Sequence, residues 1–165
     1  MTYSIWLEPL SGDAKHINKT INKLAKTHAA PRFSAHMTLY SGISSLIMAK
    51  HAVNQCPKLR LDVRASGISQ SDYLWKTVFV NVKKDKNLRH LNSTLQKNLK
   101  TKYEFKPHIS LIYKRLDRTT KRKIIRDLRI KKSFTFDKIT IIKSSKNVDN
   151  WKKLYTVRLK PTSNA

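Results

Sequence analysis

Glycine is almost absent from this chain, with three in 165 residues. A Gly-rich phosphate loop and a dinucleotide-binding fingerprint each need several glycines at fixed positions, so both are excluded. Cysteine occurs once, as Cys56. That rules out an internal disulfide, and one thiol cannot build a zinc site alone. A reducing, cytoplasmic setting is the expectation. No apolar run approaches the roughly 20 residues of a membrane span. The opening Met1-Thr2-Tyr3-Ser4-Ile5-Trp6-Leu7 reads as a strand, with no basic segment and long apolar stretch of the signal-peptide kind. Acids are scarce as well: ten Asp and Glu stand against 35 Lys and Arg, for a formal net charge of +25. Such a surface draws in polyanions, nucleic acid first among them. The alternative is compositional drift in a chain rich in Lys, Ile and Asn.

What is present points to an ordinary folded unit. About 39% of the residues are apolar, enough for a core, and the length fits a single domain over 1–165, or two fused lobes. A monomer is expected. Residues 3–9 read as a strand. Residues 13–28 read as a helix, with Ile17, Ile21 and Leu24 on one face and Ser11 or Asp13 as its cap. Strand 36–42 and helix 45–54 follow. Leu59, Leu61, Val63 and Ala65 alternate with polar residues as in a half-buried strand, and Ser66 to Leu74 reads as a loop. Strand 75–82 comes next, then an amphipathic helix marked by Leu88, Leu91, Leu95 and Leu99. Strand 107–113, helix 118–129 and strands 133–142 and 153–160 complete the chain. Strands adjacent in sequence, mixed with helices, predict an α+β fold with antiparallel sheet.

Two segments echo each other. Phe33-Ser34-Ala35-His36-Met37-Thr38-Leu39 and Phe105-Lys106-Pro107-His108-Ile109-Ser110-Leu111 share the order Phe, two residues, His, apolar, hydroxyl, Leu, with the histidines 72 positions apart. The agreement over seven positions indicates an internal duplication. On a strand, residues i and i+2 share a face. His36 therefore projects with Thr38, and His108 with Ser110, while Met37, Leu39, Ile109 and Leu111 turn to a core. Two halves facing each other would join two imidazoles and two hydroxyls. That set suits phosphodiester chemistry without a metal. A neutral imidazole takes a proton from water, an imidazolium gives one to the departing oxygen, and hydroxyls donate to the non-bridging phosphate oxygens. Zinc ligation by the two histidines is the weaker alternative, since neither segment contains an acid. His16, His28, His51 and His90 fall on helices without matched partners and are read as structural.

The paired His36-Met37-Thr38-Leu39 and His108-Ile109-Ser110-Leu111 resemble the signatures of the 2H phosphoesterase superfamily. Within it the chain is most similar to the cyclic phosphodiesterase branch, with the LigT-like RNA 2′,3′-cyclic phosphodiesterases second. Tyr3 to Pro9 and Leu74 to Val80 resemble flanking strands of the same branch. The resemblance implies a bilobal fold: two antiparallel sheets flank a central cleft, with helices outside. It also implies cofactor-free opening of a cyclic phosphate, on a 2′,3′-cyclic nucleotide or ADP-ribose 1″,2″-cyclic phosphate. By position, His36 and His108 would be the acid–base pair and Thr38 and Ser110 the phosphate binders. Tyr113 stands where the family often has a Tyr, although alternation sets it on the face opposite His108 unless a bulge or strand end turns it inward. Trp75 or Tyr73 is placed either to stack on a base or to pack under the loop.

Lys114 to Lys132 holds ten basic residues and two acids. On a helix at ~100° per residue, Arg118, Arg122, Arg126 and Arg129 fall within a stripe of about 80°. Arg forks match phosphate geometry, so RNA is a plausible partner; the alternative is a solvated helix face. Three classes remain: a small-nucleotide cyclic phosphodiesterase, an RNA-end phosphodiesterase or 2′–5′ ligase-like enzyme, and a non-catalytic RNA-binding protein on the same fold.

Overall fold

The computed structural model describes residues 1–162. Seven strands and four helices are described, in the order β1 (Thr2–Pro9), α1 (Ser11–His28), β2 (Met37–Ile43), α2 (Leu46–Asn54), β3 (Leu61–Gln70), β4 (Val78–Val82), α3 (Lys86–Leu99), β5 (His108–Ile112), α4 (Arg118–Asp127), β6 (Ser133–Ser144) and β7 (Lys152–Arg158). Short 3₁₀ turns at Leu74–Lys76 and Val148–Asn150 precede β4 and β7. All pairings between these strands are antiparallel.

The sheet consists of two halves. One pairs β7, β6, β1 and β2, and the other pairs β3, β4 and β5. Within each, a strand–helix–strand unit carries one histidine motif: β1–α1–β2 and β4–α3–β5. The halves are not separate sheets. Four pairs, Leu61 to Arg64 against Phe136 to Ser133, join β3 to β6, and one pair, Met37 with Ile109, joins β2 to β5. Since β1 also pairs β6, six strands close into a ring. The single β2–β5 pair consists of the residues that follow the two histidines. Beyond it the strands part, and the gap between them is the cleft.

The core lies between the sheet and its helices. Ile17, Ile21 and Leu24 of α1 and Leu88, Leu91, Leu95 and Leu99 of α3 are all buried, as their helical spacing requires. Full burial of each such side chain is worth about 1.5–3 kcal/mol. Met37, Leu39, Ile109 and Leu111 are completely covered. Ser45, Asp85 and Asp117 cap α2, α3 and α4 by accepting from Met48, Leu88 and Thr120 backbone N–H. The expected cap of α1 is absent: its first flanking residue is Leu10, and no side chain bonds there. Asp13 is engaged elsewhere, accepting from Thr135 N–H at 2.7 Å and pairing with Lys131. A long-range contact has taken the carboxylate that local propensity assigned to the cap.

Two boundaries differ in ways that bear on the site. Strand β3 runs on to Gln70, through half of the expected loop, because Gly67 to Gln70 keep pairing with β4. The strand expected at 75–82 begins at Val78; Trp75 sits instead in the 3₁₀ turn. The connection Ser71–Thr77 is therefore short. It is closed by Ser71 N–H donating to the Thr77 carbonyl at 3.0 Å.

Candidate active site

Each histidine is set by the same local device. His36 Nδ1 lies 2.7 Å from the Ser34 carbonyl, and His108 Nδ1 lies 2.8 Å from the Lys106 carbonyl. A carbonyl only accepts, so both rings are fixed with the proton on Nδ1 and the lone pair on Nε2. The segment before His36 is itself held from α1, where Asn18 Oδ1 accepts from Ala35 N–H at 2.7 Å. Phe33 and Phe105, the first residues of the two motifs, are buried and anchor each approach.

Both rings line one cleft of about 1020 Å³. Thr38, Ser110, Tyr113, Trp75 and Tyr73 line it too, so every residue singled out in the motif reading reaches the same space. The register explains the convergence. With Met37 opposite Ile109, one step either way sets His36 toward Ser110 and Thr38 toward His108, all on the face opposite the core. Tyr113 follows the last residue of β5 and is thereby released from the strand's alternation. Its hydroxyl lies 3.4 Å from His36 Nε2, and its ring stacks on Phe33 with centroids 4.0 Å apart. It is a buried aromatic that also borders the cleft. Ser110 is buried, and its hydroxyl donates to the Trp75 carbonyl at 3.0 Å. It must rotate off that carbonyl before it can donate to a phosphate.

The two imidazoles have different surroundings. His36 is 5% exposed and stacks flat on Trp6, with centroids 3.5 Å apart and planes 9° from parallel. Burial lowers its pKa to about 4; the like charges of His108 and Lys153 add to this, while the Ser34 carbonyl and Glu8 oppose it. His108 is half-buried and meets Phe79 edge-on at 5.4 Å. Its pKa is lowered by burial and by the Lys76 ammonium, against the Lys106 carbonyl. Lys76 itself sits over the Phe79 ring at 4.5 Å. Burial pushes the Tyr113 hydroxyl up, so it stays protonated and able to donate.

The cleft lining contains four lysines and no carboxylate. Among the described residues, no group of three or more His, Cys, Asp or Glu could hold a metal ion. The two histidines thus have no third protein ligand beside them.

The motif reading missed several wall residues: Trp6, Tyr103 and Trp151, and Phe79 behind His108. A signal for two of them exists. Ser4-Ile5-Trp6-Leu7-Glu8 and Thr77-Val78-Phe79-Val80-Asn81 run in step, with Trp6 and Phe79 73 positions apart. Trp6 is the partner of Thr38 across β1–β2, and Phe79 is the partner of Ser110 across β4–β5. The duplication therefore extends to the strand behind each motif, and in each half that strand supplies the ring against the histidine.

A duplicated strand–helix–strand frame with one His-x-Thr/Ser motif per half, converging on one cleft, defines a phosphoesterase of the two-histidine class. A family model described as "cyclic phosphodiesterase-like protein" matches residues 1–160, and the chain belongs to that family, within the 2H phosphoesterases. Solved structures with a similar fold include E. coli LigT complexed with 3′-AMP, at 15% identity and TM-score 0.64, covering 95% of this chain and 96% of that one. A Thermus thermophilus protein matches at 11% identity and TM-score 0.67, covering 99% and 100%. A structure titled only as a phosphoesterase matches at 15% identity and TM-score 0.63, covering 96% and 98%. No curated protein sequence matches the chain.

Proposed function

We propose that the chain opens a cyclic phosphate on a nucleotide, without a metal, by acid–base catalysis between His36 and His108. The observation that carries this reading is the pair of imidazoles, each fixed as the Nδ1–H tautomer, facing one carboxylate-free cleft. His36, the more strongly depressed of the two, is neutral at neutral pH, and its Nε2 accepts the proton of the attacking water. His108, more open to solvent, takes up a proton when an anionic phosphate enters and delivers it from Nε2 to the leaving ribose oxygen. Thr38, and Ser110 once turned, donate to the non-bridging oxygens as charge builds there. Trp75 and Tyr73 offer faces on which a base stacks. The 3′-AMP held by the similar E. coli LigT agrees with a nucleotide-sized occupant.

A second reading, the same chemistry on an RNA end, is favoured by Arg115, Arg118, Arg122 and Lys123, all exposed near or on α4. No carboxylate lies within 4 Å of their charged groups among the described residues.

The deciding experiment is a product assay, with EDTA present throughout, on 2′,3′-cyclic AMP, ADP-ribose 1″,2″-cyclic phosphate and RNA ending in a 2′,3′-cyclic phosphate. Ring opening of at least one is expected. No product from any of the three, or activity that returns only on adding zinc or magnesium, would overturn the reading.

A further inference from the structure

Glu8 is a buried carboxylate to which the chemistry above assigns no part. It is 5% exposed, and both its oxygens are engaged: Oε2 accepts from the Thr140 hydroxyl at 2.5 Å, and Oε1 pairs with the Lys153 ammonium. A charge held out of water at that depth is costly to a fold. The sheet does not demand one. In the frame that matches Ser4 to Glu8 with Thr77 to Asn81, the equivalent position of the other half holds a neutral amide, Asn81. Across β1 and β2, Trp6 faces Thr38 and Leu7 faces Met37. One further step of that register sets Glu8 across from His36. Across β4 and β5 the same step is a formed pair, Asn81 with His108. Each histidine thus has one cross-strand neighbour, and only that of His36 is charged. Glu8 also shares a strand face with Trp6, whose ring stacks on His36.

The charge bears on the proton that His36 receives. Nδ1 is already committed to the Ser34 carbonyl, so a proton taken at Nε2 makes an imidazolium. At 5% exposure the ring has little access to solvating water, and a buried cation without a counter-charge is strongly disfavoured. The face of Trp6 compensates in part. The other titratable groups around the ring do not. Lys153, and His108 when protonated, are of like charge, and Tyr113 stays a neutral hydroxyl. Around Glu8, Lys138 of β6 is its strand partner but pairs its ammonium with Asp137. Arg32 and Lys153 line a separate cavity of about 190 Å³ beside Trp6. Among the described residues, the one negative charge acting on His36 is that of Glu8.

We infer that Glu8 is a positioning residue for the base of the reaction proposed above: its carboxylate supplies the counter-charge for the imidazolium that forms on His36, and Lys153, by sharing that carboxylate, limits its strength. The cross-strand neighbour then divides the roles of two nearly identical motifs. A carboxylate faces the ring that gains a proton, and a neutral amide faces the ring that gives one up.

Titration of the His36 ring by NMR, in the free enzyme, tests this without any turnover. The variants are Glu8→Gln, which keeps an oxygen for the Thr140 hydroxyl, Lys153→Gln at an exposed position, and the two together. At about pH 4 the wild-type ring is half protonated. Glu8→Gln should leave it largely neutral there, with the midpoint lower by about one pH unit. Lys153→Gln should raise the midpoint by about half a pH unit or more. The double variant should titrate below Lys153→Gln by about as much as Glu8→Gln titrates below the wild type. Loosened packing would not move the midpoint in opposite directions. On 2′,3′-cyclic AMP, Glu8→Gln should lower kcat about tenfold and leave KM within twofold. Should Glu8→Gln alone not fold, the double variant, with no charge left unpaired, gives the same comparison against Lys153→Gln. Glu8 has no such role if its removal leaves the midpoint in place in both backgrounds, or if kcat is unchanged. Shifted midpoints together with full turnover in His36→Ala would instead refute the acid–base reading on which the role of Glu8 rests.

Discussion

Each imidazole keeps its Nδ1 proton on a carbonyl two residues behind it, so Nε2 is the atom available for chemistry in both halves. Replacing His36 or His108 with Ala should lower kcat for a cyclic phosphate by at least about 100-fold. The double variant should be scarcely worse than either single one, because the two act as a unit. Single-turnover rates on 2′,3′-cyclic AMP check this. The pH profile should lie on the acid side. If His36 is the base, kcat/KM rises as pH climbs through about 4, where that ring loses its proton. It falls below the ordinary histidine value as His108 loses its own. The same depressed pKa links to stability. His36 titrates at about 4 when folded against 6.5 ordinarily, so in that window the unfolded chain binds more protons and stability rises with pH. The contribution is fully present above pH 6.5 and is lost on descending to about 4. It is of order 3 kcal/mol at 1.36 kcal/mol per pKa unit. Urea denaturation at pH 7 and pH 4.5 should show this loss in the wild type and less of it in His36→Gln.

At the scale of elements, the short connection between β3 and β4 carries Tyr73 and Trp75 to the cleft, and one buried residue of α4 holds it. Lys121 is 2% exposed; its ammonium donates to the Ser71 carbonyl at 3.0 Å and to Asp72 at 2.8 Å. From inside, Ser110 holds the Trp75 carbonyl. Asp72 is exposed, so removing Lys121 leaves no buried charge behind, and the usual large cost of breaking a buried pair does not apply. Lys121→Met should therefore melt within a few degrees of the wild type. Its KM for a nucleotide should nevertheless rise several-fold as the aromatic turn loosens, with the pH profile unchanged. A melting curve alongside steady-state kinetics separates this positioning role from plain destabilisation, which would lower Tm and leave KM alone.

For the whole molecule the question is what the net charge of +25 does. The expected stripe on α4 is only partly available. The Arg129 guanidinium folds back onto the carbonyls of Arg126 and Leu128, closing the end of the helix, and Arg126 pairs with Asp127. Arg118 and Arg122 remain exposed. If RNA is the substrate, affinity for an oligonucleotide should fall steeply with salt as phosphate contacts release counterions. Arg118→Gln/Arg122→Gln should flatten that slope by about two phosphate equivalents while leaving mononucleotide turnover unchanged. Equal slopes for oligonucleotide and mononucleotide across a salt series would reduce the stripe to a solvated face. Among the described residues no helix is long and apolar enough to cross a membrane.

The sequence by itself determined the α+β class, the order of elements and the two motif histidines. Each of these is written in local pattern: leucines at helical spacing, alternation on strands, and a seven-residue frame repeated 72 positions on. Tertiary structure decided what local pattern cannot encode. It joined the two halves through a single Met37–Ile109 pair, so that the strands part and leave a cleft. It turned Tyr113 inward by ending β5 at Ile112, and it took Asp13 from its helix end to serve β6. It also made the histidines unequal. The motifs are nearly the same, yet one ring is buried and stacked on Trp6 and the other is half-buried, with the charge of Lys76 acting on it. Burial and charge at each ring come from residues far away in the chain, so their difference in basicity is a property of packing, not of the motif.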